Sequence, residues 1–358
     1  MNSKSNPSVK KPKDKRIEEK FIMFDDTLPS SKKVISEEQI IAIGKQKISW
    51  QKILLLMLAS ISIVIVVLIF FYILINGILI IPEYGFFRFI FGTNWNPAGD
   101  LYGILHGIIG TAMVVIIAMV ISVPISISCA IFMSEIAPQK IRKILKPTVE
   151  LLAGIPSIVY GFFGLFVFVP MVKFIFKLPT GETALSGGLI LSIMVIPTIV
   201  SITDDALKAV PQSYREGSFA LGATKWQTII RIVIPAAFSG IFAATILAFG
   251  RAIGETMAVL MVSGGASQVP VPFFNMLVPV DPLTAIIARE LGEAGEGTTQ
   301  FHAIFGIAIV LFIITFVVNF IGDLIIRRFS KKIQGVKTAH KKIEKMAKED
   351  TQTFVNNL

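Results

Sequence analysis

The sequence predicts an all-α integral membrane protein with six transmembrane helices. Of its 358 residues 53% are hydrophobic and only 16% are charged, and the mean hydropathy is +0.73. Soluble domains carry about 25% charged residues. Apolar runs long enough to cross a hydrocarbon core of about 30 Å, which takes about 20 helical residues, recur along the whole chain. These three observations exclude an ordinary soluble enzyme.

Six segments meet the length requirement for a transmembrane helix. They are 53–81, 104–133, 149–172, 186–202, 229–262 and 304–326. The fourth is the weakest because it is short and contains Pro197. The fifth is long enough to begin outside the membrane.

The basic residues predict the orientation. Most of the 34 Lys and Arg residues lie in the arm 1–52, in the tail 329–358 and in the connections after the second and fourth spans. Positive residues concentrate on the cytoplasmic side, so both termini are expected there, in a multi-pass cytoplasmic (inner) membrane protein. The segment 82–103 is then an external loop and 104–328 a five-helix core. The polar start argues against a secretory signal, and ISEEQIIAIGKQ in the arm predicts a short helix with a capping box at Ser36 and Gln39.

Catalytic and metal-binding patterns are missing from the sequence. The single cysteine, Cys129, excludes an intramolecular disulfide, and the histidines His106, His302 and His340 are isolated. There is no phosphate-cradling G-x-x-x-x-G-K-[ST] loop and no G-x-S-x-G elbow. We expect no enzyme activity, no metal and no cofactor bound by this chain, so an energised transporter with this sequence would need a separate subunit to hydrolyse ATP.

The connection between spans four and five contains too many helix signals to be a linker. Ser213 and Glu216 have capping-box spacing and predict a helix that begins at Tyr214. Gly222 fits a helix end with positive φ, and Thr224 is suited to cap a second helix that continues into span five. The pattern predicts a helix, a sharp turn and a second helix at the cytoplasmic surface.

The segment EGSFALGATKWQTIIRIVIP resembles the EAA-x3-G-x9-I-x-L-P signature of binding-protein-dependent ABC importer permeases. Four residues fall on the pattern with its full spacing: Glu216, Gly222, Ile232 and Pro235. Gly217 and Ser218 replace alanines and Ile234 replaces leucine. The resemblance implies the type I importer permease fold, with a coupling helix near 213–222 that sits in a groove of the ATPase. Small residues at 217 and 218 would allow close approach, and Pro235 would tie the helix to a membrane span.

Four further stretches narrow the resemblance to the phosphate-specific permeases of the Pst system, in the motif order of the PstC type. They are TNWNP (93–97), ISVPISISCAIFMSEIAP (121–138), ELLAGIPSIVYGFFG (150–164) and GRAIGETMAV (250–259). The resemblance covers residues 80–330. It implies partners that are PstA-like (a second permease), PstB-like (two ATPase subunits) and PstS-like (an external phosphate-binding protein). The PstA type carries a similar GRAIGET and is the alternative assignment.

Arg251 and Glu255 are charged residues within an apolar span. Placing a charge at mid-bilayer costs roughly 2.5 to 3.5 kcal/mol on insertion scales. Four residues apart, the two side chains could form an ion pair. Alternatively Arg251 binds phosphate oxygens and Glu255 accepts a hydrogen bond from the P–OH group, which sulfate lacks. Thr256 and Ser157 could add hydroxyl groups to this substrate path.

The sequence is also compatible with other functions. An ion-coupled secondary phosphate or anion symporter would use Glu255 as a proton relay, but it has no use for a coupling helix. A regulatory membrane subunit and a sulfate or molybdate permease are further alternatives. Asp204 and Asp205 are expected to cap a helix or to face the cytoplasmic surface, Tyr160 to pack, and Trp95 to anchor the membrane interface.

Overall fold

The computed structural model describes residues 50–356, and the side chains of residues 50–328. The chain divides into two compact units, Met1–Val66 and Val67–Leu358. The described part of the first unit, 50–66, is entirely helical and belongs to helix α1 (Trp50–Ile78). Most of the basic arm, with the helix predicted in ISEEQIIAIGKQ, lies outside the described residues.

Six helices between residues 50 and 356 are long and apolar enough to cross a membrane, which confirms the predicted number. They are Trp50–Tyr84, Leu105–Ile136, Ser157–Phe176, Ala184–Lys208, Lys225–Ile253 and Thr299–Arg328. Two of the predicted bounds are wrong. The third span begins at Ser157 instead of 149, and the fifth ends at Ile253 instead of 262.

Short helices and a hairpin lie between the first and second spans. After α1 come the short helices α2 (Ile80–Tyr84) and α3 (Phe86–Phe91), then a hairpin of β1 (Trp95–Asn96) and β2 (Leu101–Tyr102), and then α4 (Leu105–Ile131). The strands are antiparallel, with Trp95 opposite Tyr102. The Trp95 ring lies 5.6 Å from the Tyr102 ring, and Trp95 is only 5% exposed. Trp95 is therefore a core residue of the loop, and its expected role as a membrane-interface anchor is wrong.

The remaining elements follow a π-helical turn, Phe132–Ile136, that extends α4. They are α5 (Gln139–Ala153), α6 (Ser157–Phe163), α7 (Val169–Phe176), α8 (Ala184–Lys208), α9 (Gln212–Ala220), α10 (Lys225–Thr228), α11 (Ile234–Ile253), α12 (Met257–Val262), α13 (Leu283–Glu290) and α14 (Thr299–Asn356). Two more π-helical turns, Gly164–Phe168 and Ile229–Val233, join α6 to α7 and α10 to α11.

Helix α5 is a separate amphipathic helix, and this is why the third span starts late. The chain leaves it at Gly154, and Pro156 caps α6. A fully buried carboxylate of Asp204 in α8 pairs with Arg142 (3.5 Å) and Lys146 (3.8 Å) of α5, and also with Lys208. Asp204 is buried and does not face the surface, whereas Asp205 is exposed, as expected. The ion cluster instead fastens α5 to α8.

Helices α4 and α8 form the centre of the second unit, and a glycine lets them approach closely. A Cβ atom on Gly188 of α8 would lie 2.4 Å from Ile117 Cγ2 of α4. Real Cβ contacts are essentially never that short, so the packing requires glycine there. Buried apolar residues of α4, α8 and α11 form one continuous cluster around this contact. Helix α8 therefore touches both α4 and the helix that carries Arg251.

Candidate functional site

The GRAIGETMAV motif breaks the helix where the sequence predicts continuity. Helix α11 ends at Ile253 and α12 begins at Met257, so Gly254, Glu255 and Thr256 form a non-helical link. Glycine and threonine are poor helix formers, which favours a break here. The assumption that Arg251 and Glu255 lie on one continuous helix is wrong.

Glu255 caps the second half of the broken motif. Its Oε1 atom accepts a hydrogen bond from the Ala258 N–H at 3.3 Å. Its carbonyl oxygen accepts a second from the Thr284 hydroxyl at 2.8 Å, which ties the link to α13. The other carboxylate oxygen, Oε2, has no hydrogen-bond partner among the described residues. Glu255 is thus held in place while one acceptor stays available.

Arg251 is exposed on the surface of this chain and points towards α8. Its Nη1 atom donates a hydrogen bond to the Thr198 hydroxyl at 3.0 Å. Among residues 50–328 no carboxylate lies within ion-pair distance of its guanidinium, and Glu255 is no exception. The alternative of a resting ion pair between Arg251 and Glu255 is therefore wrong for this conformation.

Thr198 is a site residue that the sequence analysis missed. It directly follows Pro197, the residue that marked the fourth span as interrupted. A proline inside a helix removes one backbone donor, and a hydroxyl beside it on a membrane helix was the available signal. What could not be known from the sequence is that this turn of α8 faces Arg251.

The GIPSIVYG and GRAIGETMAV motifs meet through helices α6 and α12. A Cβ atom on Gly161 would lie 3.1 Å from the Ala258 Cα atom, so the two backbones are close. Ser157 is the first residue of α6 and is half-buried, and its hydroxyl has no partner within the described part of the chain. The Thr256 hydroxyl donates to the Gly254 carbonyl at 3.3 Å. The structure gives no direct contact between these hydroxyls and Arg251.

A cavity of about 490 Å³ lies beside the β1–β2 hairpin. It is lined by Trp95, Asn96, Pro97, Glu182, Leu260, Met261, Gly264, Gly265, Ser267, Arg289 and Glu290. The TNWNP motif forms one wall, and the end of α12 forms another. The cavity therefore lies at the opposite end of α12 from the Glu255 link.

Arg289 is held in this cavity by two carboxylates. Its guanidinium forks onto Asp281, with Nη1 at 3.2 Å from Oδ1, and its Nε donates to Glu290 at 3.1 Å. Burial raises the pKa of the Asp281 carboxyl, although the adjacent guanidinium acts in the opposite direction. Burial acts to lower the pKa of Arg289, but the bond and charge of Asp281 outweigh it and leave that pKa raised. The sequence analysis did not single out this group.

The α9–α10 helix pair has the predicted turn but a different start. Helix α9 begins at Gln212 after Pro211 and has no side-chain cap, so the capping box of Ser213 and Glu216 is wrong. Proline at this position already sets the extended backbone before a helix. Gly222 has φ +79°, as expected. Thr224 caps α10 in a complete capping box with Gln227.

The exposed surface of α9 differs from the expected one at a single residue. Glu216 and Gly217 are exposed, and a Cβ atom on Gly217 would meet nothing within 4 Å. Ser218 instead turns inward and bonds the Thr228 hydroxyl at 2.9 Å, so its expected place against a partner is wrong. Exposed apolar side chains continue the surface around the turn: Tyr214, Phe219, Leu221 and Trp226. Ile232 and Pro235 are also exposed.

The histidines do not form a metal site. Among the residues described, no group of three or more His, Cys, Asp and Glu side chains could hold a metal ion. His302 Nδ1 lies 2.8 Å from Glu83 Oε1, and His106 is buried in α4. The side chain of His340 lies outside the described part.

Six spans, a broken helix whose arginine has no carboxylate partner among the described residues, and the exposed α9–α10 helix pair define a multi-pass membrane permease. Residues 122–335 match the family model described as "Binding-protein-dependent transport system inner membrane component", and this chain belongs to that family.

Two curated relatives cover most of the chain. The "Probable ABC transporter permease protein YqgH" of Bacillus subtilis (strain 168) is 41% identical over 261 residues, which is 72% of this chain and 80% of the relative. The "Phosphate transport system permease protein PstC" of Xylella fastidiosa (strain 9a5c) is 40% identical over 263 residues, 68% of this chain and 80% of the relative.

A solved structure supports the fold. One chain from the crystal structure of a bacterial alginate ABC transporter, in complex with an alginate pentasaccharide-bound periplasmic protein, aligns with a TM-score of 0.55. The alignment covers 80% of this chain and 99% of that chain at 18% identity. At this identity the likeness concerns the fold alone, which is that of an ABC importer permease.

Proposed function

We propose that this chain is the PstC-type permease subunit of an ATP-driven inorganic phosphate importer and forms half of its translocation path. Relatives with 40% identity bear the name PstC, which supports this type over the PstA-type partner. The partners would be a PstA-like permease, two PstB-like ATPases and a PstS-like phosphate-binding protein outside the membrane. Both termini would lie in the cytoplasm.

Arg251 is the observation that carries the proposal. A guanidinium within a membrane segment is costly unless something compensates it, and no described carboxylate does so. Its planar set of donors matches two oxygens of a phosphate ion, and it stays charged when it loses water. One N–H group of Arg251 is bonded to Thr198, so the other donors of the guanidinium remain free to bind an anion.

Glu255 supplies the second recognition element. Its Oε2 atom is an acceptor with no partner in the described structure, and the P–OH of HPO4 is a donor that sulfate lacks at neutral pH. A buried acceptor that faces only acceptors is strongly unfavourable. The carboxylate would therefore favour the protonated oxyanion. Ser157 and Thr256 are retained as further candidates on the path.

The exposed face of α9 and the following turn would dock on the ATPase. Glu216 offers a charge, Gly217 permits close approach, and Leu221 is 89% exposed. Leu221 is one of several exposed apolar side chains here, with Tyr214, Phe219 and Trp226, and an exposed apolar patch is typical of an interaction surface. Gly222, Ile232 and Pro235 belong to the same coupling segment. The chain itself would bind no ATP.

Transport in proteoliposomes tests the proposal. We expect the complete complex, with its binding protein and ATP, to take up labelled phosphate. Arg251→Ala should lower the rate by about 10- to 100-fold, since hydrogen bonds to charged groups contribute about 1.5 to 3 kcal/mol each. Arg251→Lys keeps the charge and should retain part of the rate.

The matched control is Arg328→Ala, an exposed arginine at the end of the sixth span. Wild-type uptake in Arg251→Ala would contradict the proposed path. Phosphate uptake by this chain without the ATPase subunits would instead support the ion-coupled symporter.

A further inference from the structure

Arg215 of helix α9 is almost completely engaged inside this chain. Its Nη2 atom donates to Glu135 Oε1 at 2.6 Å, and its Nε atom donates to Glu135 Oε2 at 3.3 Å. The same guanidinium donates to the carbonyl oxygens of Val210 (2.8 Å) and Leu207 (3.0 Å). A forked pair with two additional bonds fixes both the position and the rotation of the side chain.

The partners of Arg215 lie on two other spans. Glu135 belongs to the π-helical turn that ends the α4 span, and Leu207 is in the last turn of α8. Arg215 therefore ties the coupling helix to the cytoplasmic ends of α4 and α8. Along the chain, α9 is joined to α8 by the short connection 209–211 and continues onward to α10 and α11.

The pair is buried, which distinguishes it from surface ion pairs. The Arg215 and Glu135 side chains are 13% and 9% exposed. In contrast, Lys146 and Glu150 on α5 lie 3.9 Å apart and are 37% and 54% exposed. Exposed pairs contribute little, whereas removing one partner of a buried pair leaves an uncompensated charge. The Glu135–Arg215 connection is therefore much stiffer than an exposed pair.

The connection from α9 onward to α10 and span five is less direct than the contacts of Arg215. It passes through a turn at Gly222, and the side-chain contact across that turn is a single hydroxyl bond between Ser218 and Thr228. From the sequence, movement of the coupling helix was expected to pass through Pro235 into span five. The contacts favour the route through Arg215.

We propose that the Glu135–Arg215 pair transmits movement of the coupling helix to α4, and that it fixes the Arg215 guanidinium so that its bonds to Leu207 and Val210 hold α9 firmly against the end of α8. Helix α8 carries Thr198, the hydrogen-bond partner of Arg251, nine residues or about 14 Å before Leu207. A displacement of α9 then reaches the substrate path along a rigid helix. This inference rests on the proposed function, because it takes α9 as the ATPase-docking helix. Glu135 and Arg215 are positioning residues, and neither touches substrate.

The test measures phosphate taken up per ATP hydrolysed in the complete reconstituted complex. Glu135→Gln and Arg215→Gln should each lower this ratio by about 10-fold or more, because either leaves a buried group unpaired. ATP hydrolysis should fall much less, since docking is retained. The double variant should lose no more than the worse single variant, because both changes remove one interaction. The matched control, Glu150→Gln, should keep the wild-type ratio.

Two results would overturn the inference. One is a wild-type ratio in Glu135→Gln, and the other is a double variant whose loss is the product of the single losses. If Arg215→Gln does not assemble, Glu135→Gln is compared with Glu135→Asp, which restores the charge and should recover part of the ratio.

Hydrogen exchange separates this inference from the proposed function. If the wild-type complex hydrolyses ATP but takes up no phosphate, the proposed substrate is contradicted, but the role of the Glu135–Arg215 pair is not. The backbone amides of Gln212–Ala220 should still exchange faster in Glu135→Gln than in wild type or in Glu150→Gln, because α9 loses its anchor. Unchanged exchange in Glu135→Gln would defeat the role of the pair.

Discussion

Arg251 and Glu255 are separated by a break in the helix, and this changes what each can do. On a continuous helix the two side chains would neutralise each other. With the link at Gly254, Glu255 instead caps α12 and Arg251 donates to Thr198. The two charges are held by different helices, so each keeps free hydrogen-bonding capacity for a substrate.

Glu255→Gln isolates the acceptor role of this residue. Glutamine keeps an oxygen that can accept from the Ala258 N–H, so the link should fold normally. It removes the negative charge and places an amide donor where P–OH would donate. We expect slower phosphate uptake and weaker discrimination against sulfate, by about 10-fold or more for a lost hydrogen bond to a charged group. The measurement is uptake of both anions by the reconstituted complex.

Glu255→Ala is the companion variant, because it removes the cap as well. It should lower thermal stability in addition to uptake. Unaltered phosphate uptake and selectivity in Glu255→Gln would show that Glu255 only caps α12.

Helix α9 and the turn after it form an element whose shape depends on one glycine. Gly222 adopts φ +79°, and nothing lies within 4 Å of a Cβ placed there. The requirement is therefore conformational, since the space around the residue is open. The turn aims Leu221 and Trp226 outward together with the exposed face of α9.

Gly222→Ala should destabilise this turn by about 1 to 2 kcal/mol, the cost of a left-handed conformation for an L-residue. The matched control is Gly217→Ala, which also enters open space but at a helical φ, and which should be neutral or slightly stabilising. Thermal unfolding of the two purified variants measures the difference. Equal stability of Gly222→Ala and Gly217→Ala would contradict the role of positive φ.

The whole molecule has one expected orientation, derived from the distribution of its basic residues. With six spans and basic connections after the second and fourth, the hairpin and the cavity beside Arg289 are expected outside, and α9 is expected inside. The cavity and the coupling segment then lie on opposite sides of the membrane. Such an arrangement suits a permease loaded from outside and driven from inside.

Cysteine labelling in intact cells tests this orientation. In a Cys129→Ser background, Ala98→Cys in the exposed hairpin should react with a membrane-impermeant maleimide. Ser8→Cys and His340→Cys should react only after the membrane is permeabilised. Labelling of either terminal cysteine in intact cells would contradict cytoplasmic termini.

Much of the fold could be predicted because span-length apolar runs and charge asymmetry are local properties of the chain. The turn at Gly222 and the cap at Thr224 were predictable for the same reason, since each depends on a few neighbouring residues. The late start of the third span was not, because the apolar residues before Pro156 read as one run with those after it. Likewise, the bonds made by Glu255 involve α12 and α13, which no local pattern reveals.

The sequence by itself determined a six-span permease and singled out the predicted coupling segment and the candidate residues Arg251 and Glu255, because composition, periodicity and motif spacing carry that information. Tertiary structure alone decided that Thr198 accepts a hydrogen bond from Arg251, that the Ser218 side chain is buried, and that Arg215 forms an ion pair with Glu135. The Arg251–Thr198 and Arg215–Glu135 contacts join residues 53 and 80 positions apart in the chain. They depend on how α4, α8, α9 and α11 pack, and packing is set by the complementary shapes of many side chains at once.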